Sequence, residues 1–174
     1  MGDFHIFKIR ADHKESPRNQ HQQDFLILEC PQWVNVIAVT PDEKLVMVEQ
    51  FRHGTETVEL EIPGGMIDGQ DPNPVFAGER ELREETGFVG EYSRLLGRIA
   101  PNPAIMGNTC YTVLVENCLE RHELQLDHGE DIVVRLIPLR DIPSLVSAGK
   151  IQHALVIVAL HYYEMHLNGL RPPT

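Results

Sequence analysis

Cysteine is scarce in this 174-residue chain: Cys30, Cys110 and Cys118 are an odd count with no CxxC pair or metal-ligand spacing. A disulfide framework and a cysteine-based zinc site are thereby excluded, and the three read as reduced, small, mostly buried side chains. Long apolar runs are missing too. The longest, "ALVIVAL" at 154–160, is far too short to cross a bilayer, and "MGDFHIFKIRADHKESPRN" holds no apolar signal-peptide segment. Ile6 breaks the myristoylation pattern that Met-Gly would open. A soluble, cytoplasmic protein is expected. Positive charge is also short: 15 Lys and Arg against 26 Asp and Glu leave a net charge of −11. Neither a nucleic-acid backbone nor an anionic membrane suits such a chain as its main partner. A polyanionic small molecule would have to be held locally, through metal. Of the nine histidines, His53, His122, His153, His161 and His166 show no zinc-site spacing, and the one tryptophan, Trp33, reads as a packing anchor more readily than as a stacking platform.

What is present is an ordinary globular mixture, 42% hydrophobic and 24% charged, at a length that suits one domain. Short β-type runs are expected at 4–10 and 23–30, separated by the polar, turn-rich "ADHKESPRNQHQ". "WVNVIAVT" and "KLVMVEQF" flank a hairpin turn at Pro41, Asp42 and Glu43. "TVELEI" alternates as a half-buried strand does and stops at "PGGM". A helix is expected from about Pro74 to Thr86, with Pro74 in its first turn and Gly87 as its stop. Strands follow at roughly 91–99, 110–116 and 132–138, then a short helix ended by Gly149 and a longer one over "QHALVIVALHYYEMHL". This order predicts an α/β (α+β) fold, a mixed sheet sandwiched between helices. Residues 1–32 form an N-terminal strand pair for dimerisation or as a lid, and 33–174 the main domain.

Chemistry concentrates in "RELREETG", residues 80–87. Residues three and four apart share a helix face, so Glu81, Glu84 and Glu85 point roughly one way. Each exposed like-charge pair costs about 0.2–0.5 kcal/mol. Something positive belongs there: Arg80 and Arg83 as neighbours, and a hard divalent cation such as Mg²⁺ or Mn²⁺ for the remaining oxygens. A solvated face with pairs such as Glu79 to Arg83 explains the octet alone equally well. The strand and Gly-Gly turn before it favour the cation, because a turn carbonyl and helix carboxylates then converge on one point.

At this point the chain resembles the Nudix hydrolases, whose signature is G-x5-E-x7-R-E-U-x-E-E-x-G-U. "RELREETGF" matches every specified position of the second half, through Arg80, Glu81, Leu82, Glu84, Glu85, Gly87 and Phe88. The first half departs: Gly65 to Arg80 spans 15 positions against the signature's 14. The upstream glutamate falls on Pro72 by literal spacing and on Gln70 if a gap is allowed, with Asp68 or Asp71 as partial replacements. "EQFRHGTETVELEIPGG" and "GEDIVVRLIPLRDIPSLVSAGKIQHALVIVAL" look like the corresponding stretches of the ADP-ribose pyrophosphatase branch.

The resemblance implies Mg²⁺-dependent (or Mn²⁺-dependent) hydrolysis of a nucleoside diphosphate joined to another group, ADP-ribose or a related sugar nucleotide, by a homodimer pairing through its N-terminal strands. It further implies Glu81 and Glu85 as bridging metal ligands, Glu84 assisting in metal binding and catalysis, and the Gly64 carbonyl completing the site. Arg80 acts as an internal counter-ion to the catalytic glutamates. Glu130, in "LDHGEDI", aligns with a metal-binding loop acid, and His128 with its neighbour, against a solvated-loop alternative for both. Arg52, Glu59, Glu61 and Met106, the last in the rim "APNPAIMGNT", are candidates for substrate binding; alternation puts Glu59 and Glu61 on one face and does not choose between them. Two other readings stay open, a nucleoside triphosphate or dinucleotide pyrophosphatase and a catalytically weak nucleotide sensor.

Overall fold

Alternation along three strands decides the architecture. In "WVNVIAV", Val34, Val36 and Ala38 are buried against one helix layer, while Ile37 belongs to the core on the other face. Val113 and Val115 repeat the first pattern and Leu114 the second, and in the neighbouring strand Val46 opposes Leu45 and Met47. A sheet apolar on both faces needs cover on both. The computed structural model, which describes residues 4, 6–126, 129 and 131–173, supplies it.

In chain order the elements are β1 (Lys8–Glu15), β2 (Gln22–Glu29), β3 (Trp33–Val39), β4 (Lys44–Arg52), β5 (Thr57–Glu61), β6 (Gly64–Met66), α1 (Pro74–Thr86), β7 (Phe88–Val89), β8 (Tyr92–Ile99), β9 (Cys110–Glu116), β10 (Leu119–Glu120), β11 (Ile132–Pro138), a 3₁₀ turn (Leu139–Asp141), α2 (Ile142–Ser147) and α3 (Ala154–Leu167). The main sheet runs β11-β4-β3-β9-β8, with β3 and β9 parallel. Helix α1 covers one face through Ala77 and Leu82. Helices α2 and α3 cover the other through Ile142, Val156, Ala159 and Tyr162.

The sheet splits between β3 and β4, and this split positions the site. The two strands pair at Val39 and Leu45, next to a turn in which Thr40 Oγ1 accepts from Lys44 N–H at 3.0 Å. Further along, β5 takes the freed edge of β4, with Glu61 opposite Val48, and β6 takes the freed edge of β3, with Gly64 opposite Asn35. Ile62 and Pro63 carry the chain across the gap.

Several elements differ from the sequence expectation. β1 runs through Lys8–Glu15, beginning in the strand expected at 4–10 and continuing through 11–15, inside the stretch expected to turn. It is a polar strand whose alternation carries no apolar signal, held to β2 by eight register pairs and by side-chain bonds such as His13 Nδ1 to Asp24 Oδ1 at 2.7 Å and Gln22 Nε2 to Glu15 at 2.6 Å. The strands β6, β7 and β10 are two or three residues long and have no readable period. Helix α1 has the expected limits because three local signals agree. Asn73 Oδ1 accepts from Phe76 N–H at 3.0 Å, Pro74 opens the helix, and Gly87, at φ 74°, closes it by donating to Arg83 O at 2.9 Å. No helix among the described residues is long and apolar enough to cross a membrane. All three cysteines are free; Cys110 and Cys118 are buried, and burial pushes each thiol up to about 12.

Candidate active site

The acid-rich face of α1 lies against β6. Glu85 is 5% exposed, and its Oε2 accepts from the Gly64 N–H at 2.9 Å. Beside it, a Cβ on Gly65 would stand 2.5 Å from Glu81 Oε1, so the carboxylate occupies the space a side chain would need. This close approach is what the Gly-Gly turn permits. Glu84, the third acid, turns towards the guanidiniums of Arg80 and Arg83, at 3.0 and 3.3 Å.

Arg80 holds the arrangement together. Its Nε and Nη2 donate to the two oxygens of Asp71 at 3.2 and 3.0 Å, its Nη2 also to the Met66 carbonyl at 3.0 Å, and its Nη1 to Glu84 at 3.0 Å. Glu81 Oε1 stands 3.0 Å from the same Nη1. The side chain of Asp71 is 3% exposed, and Arg80 holds its carboxyl below the usual carboxylate range. The guanidinium is in turn raised above its ordinary value, chiefly by its bond to Asp71. One arginine thus fixes the 66–71 loop to the helix, with the forked geometry that lysine lacks.

Asp71 is the residue that sequence reasoning under-weighted. Counting back from Arg80 leads to Pro72, but counting forward from Gly65 leads directly to Asp71, six positions on. The extra residue therefore lies between Asp71 and Arg80, where Asn73 caps the helix. Gln70 is exposed and takes no part in the Arg80 network.

Asp71, Glu81, Glu84 and Glu85 face Arg80 and Arg83, an excess of two negative charges when all are ionised. The donors are hard oxygens beside a glycine turn, a set that fits Mg²⁺ or Mn²⁺ in chemistry. Among the described residues, no three acidic, histidine or cysteine side chains already stand together as a ligand cluster. Glu130 and His128 lie outside the described residues. The segment before them is tied to α1, with Arg121 N–H and His122 N–H donating to Gly87 O at 2.9 and 3.1 Å and Gln125 N–H to Glu84 O at 2.8 Å.

On the α3 side of β6 opens a cleft of about 680 Å³, lined by Trp33, Asn35, Arg52, Glu59, Glu61, Gly64–Met66 and the start of α3. That volume suits a nucleotide-sized ligand. Glu59 and Glu61 both face it. Glu61 is 2% exposed and receives Arg52 bidentately, at 2.7 and 2.8 Å, so Arg52 presents a guanidinium that is already paired. Met106 is not part of this wall. It forms a bridge with Leu28, while Leu28 N–H donates to Ile105 O at 2.8 Å, fastening the 100–109 loop to the N-terminal hairpin. The three helix glutamates do not line the cleft either; they meet it through β6.

Comparison with known proteins identifies the family and the fold. The NUDIX domain model matches residues 31–157. The ADP-ribose pyrophosphatase of Bacillus subtilis (strain 168) is 30% identical over 141 residues, covering 80% of this chain and 75% of that protein. The methanol dehydrogenase activator of Bacillus methanolicus is 27% identical over 162 residues, covering 92% and 86%. The mouse (Mus musculus) ADP-sugar pyrophosphatase is 30% identical over 133 residues, covering 72% and 60%. A crystal structure of an ADP compounds hydrolase superposes with a TM-score of 0.78 at 20% identity, over 97% of this chain and 98% of that one. With its fold, its signature helix and these relatives in agreement, the chain belongs to the Nudix hydrolase family, in the branch of the ADP-ribose pyrophosphatases.

Proposed function

We propose that this protein hydrolyses the pyrophosphate bond of a nucleoside diphosphate joined to a second group, ADP-ribose or a related sugar nucleotide, giving a nucleoside monophosphate and a sugar phosphate. One observation carries the reading. The Gly64–Met66 segment is shared between a nucleotide-sized cleft on one side and, on the other, a glutamate helix anchored to Gly64 N–H. A diphosphate in the cleft would thus lie against the turn that the carboxylates approach.

Glu81, Glu84 and Glu85, with the Gly64 carbonyl and Glu130, would hold Mg²⁺ or Mn²⁺. When bound, such ions neutralise phosphate charge and make a coordinated water acidic enough to attack phosphorus at neutral pH. The protein's own part is positional. Arg80 keeps the turn and the helix in register, and Glu85 fixes the Gly64 peptide. Arg52 and Glu59 stand in the cleft wall where a phosphate or ribose would pass. Glu61 supports Arg52 from beneath. Asp71 supplies the carboxylate that Gln70 lacks, which favours an active enzyme over a nucleotide sensor.

The test is release of monophosphate, with Mg²⁺ and without, from ADP-ribose, ADP-glucose, a dinucleoside polyphosphate and a nucleoside triphosphate. ADP-ribose or ADP-glucose should be cleaved fastest, and only with the metal. Fastest cleavage of the triphosphate or the dinucleotide would move the protein to the alternative class. No cleavage at all would remove the enzymatic reading.

A homodimer paired through the N-terminal hairpin belongs to this reading, as does a cytoplasmic setting, and the hairpin's exposed apolar residues support the pairing. Leu26 is 65% exposed and Phe25 38% exposed on a two-stranded sheet with no layer of its own.

A further inference from the structure

One buried carboxylate beneath the cleft wall has a basic group on either side. The Glu61 side chain, from β5, is 3% exposed; Arg52 of β4 holds it bidentately, and from the start of α3 the Nδ1 of His153 stands 3.6 Å from its Oε2. That separation exceeds a hydrogen bond and lies within ion-pair range. Two acceptors facing each other there would repel, so the ring proton belongs on Nδ1, towards Glu61. Nδ1 is closed to solvent, yet 41% of the His153 side chain is exposed and lines the cleft, so the open nitrogen of the ring is Nε2. The side chain makes no cap bond to α3. The diphosphate chemistry above gives it no task.

Charge supplies one. Among the described residues, the charged side chains of the cleft wall are Arg52, Glu59 and Glu61. One guanidinium against two carboxylates leaves the wall negative, the sign of a diphosphate. A second proton on His153, at Nε2, cancels that excess and places an N–H donor on the open edge of the ring. Histidine is the side chain that can make this change near neutral pH. His53, the other histidine of the wall, packs edge-on against the Phe51 ring with centroids 5.2 Å apart.

We infer that His153 is an anion-binding residue of the cleft, taking up a proton at Nε2 as the diphosphate of a nucleotide binds, while Glu61 holds its other nitrogen. The proton comes from solvent, and the imidazolium joins Arg52 as the second cation on the wall. This assignment deepens the nucleotide-hydrolase reading and rests on it.

The proton is read directly by calorimetry of ADP-ribose binding to the full chain without metal, in two buffers of different ionisation enthalpy. ADP-ribose suits the test because its diphosphate carries no group that titrates near neutral pH. At pH 7 the unaltered protein should take up about half a proton per ligand bound, and its affinity should fall about five- to tenfold from pH 6 to pH 8.5. His153→Gln should abolish both the uptake and the pH dependence, and His53→Gln should leave both in place. His153→Lys, a permanent cation, should hold the pH 6 affinity within about threefold across that range, with no uptake. Binding without proton uptake, uptake that survives His153→Gln, or uptake lost in His53→Gln alone would overturn the assignment. So would a lysine variant that folds and fails to bind, since packing and not charge would then be what His153 supplies. Absence of metal-free binding to the unaltered protein also counts against it, because Arg52 and His153 hold the anion without a metal's help. Each of these results can occur alongside full release of monophosphate with Mg²⁺, so failure here stands apart from failure of the hydrolase reading.

Discussion

Asp71 and Arg80 are the residue pair on which the helix and its preceding loop depend. The Asp71 carboxyl lies below its ordinary value because Arg80 stabilises the charged form. Such a group contributes stability that is complete above its unfolded value, about 3.9, and is lost as pH falls through the lower folded value. Asp71→Asn should therefore cost about 1–3 kcal/mol at pH 7, and less at a pH below the unfolded value of about 3.9, as the carboxylate takes up its proton. Thermal denaturation at the two pH values checks it; a constant gap would mean that packing, not charge, was lost. Gln70→Glu, in contrast, should change turnover less than about threefold, because Asp71 already holds Arg80. Glu85→Gln separates charge from architecture. An amide oxygen can still accept from Gly64 N–H, so the melting temperature should move by only a few degrees. Turnover should fall about 100-fold or more if the charge holds a cation. Near-normal turnover would take Glu85 out of the chemistry.

At the scale of elements, β6 is the junction. A three-residue strand has little stability of its own, and Gly64–Met66 is ordered by β3 on one edge and by Glu85 and Arg80 from α1. Gly65→Ala would bring a methyl group 2.5 Å from Glu81 Oε1. The carboxylate is the far end of a flexible side chain and can swing away, so the expected result is a loss of kcat exceeding tenfold with less than about 1 kcal/mol of stability. Circular-dichroism melts alongside single-turnover rates would show the split; unfolding together with the rate loss would count against it. Helix α1 was legible in the sequence because its cap, its proline and its glycine are all local signals. β6 was not, since its pairing partners lie about 30 residues before it and its order depends on side chains about 20 residues after it.

The whole molecule is a two-faced sheet split between β3 and β4, with the acid-rich helix α1 on one face and a cleft on the α3 side. The N-terminal hairpin stands apart from both cores, joined to the 100–109 loop through Leu28. Its exposed Leu26 is expected to be covered by a second copy. Leu26→Glu should shift the protein from dimer to monomer in light-scattering chromatography, and a monomer before substitution would dismiss the pairing.

By itself the sequence determined the layered α/β fold, the limits of α1 and the resemblance that names the family, because apolar period, helix caps and a spaced acidic signature are all written in neighbouring residues. Only the tertiary structure decided that Asp71 holds Arg80, that Glu61 is paired with Arg52, and that Asn35 and His153 share one cleft. The residues brought together lie from 9 to 118 positions apart. Bringing them together takes folding of the chain around the split sheet, and no local spacing rule encodes that.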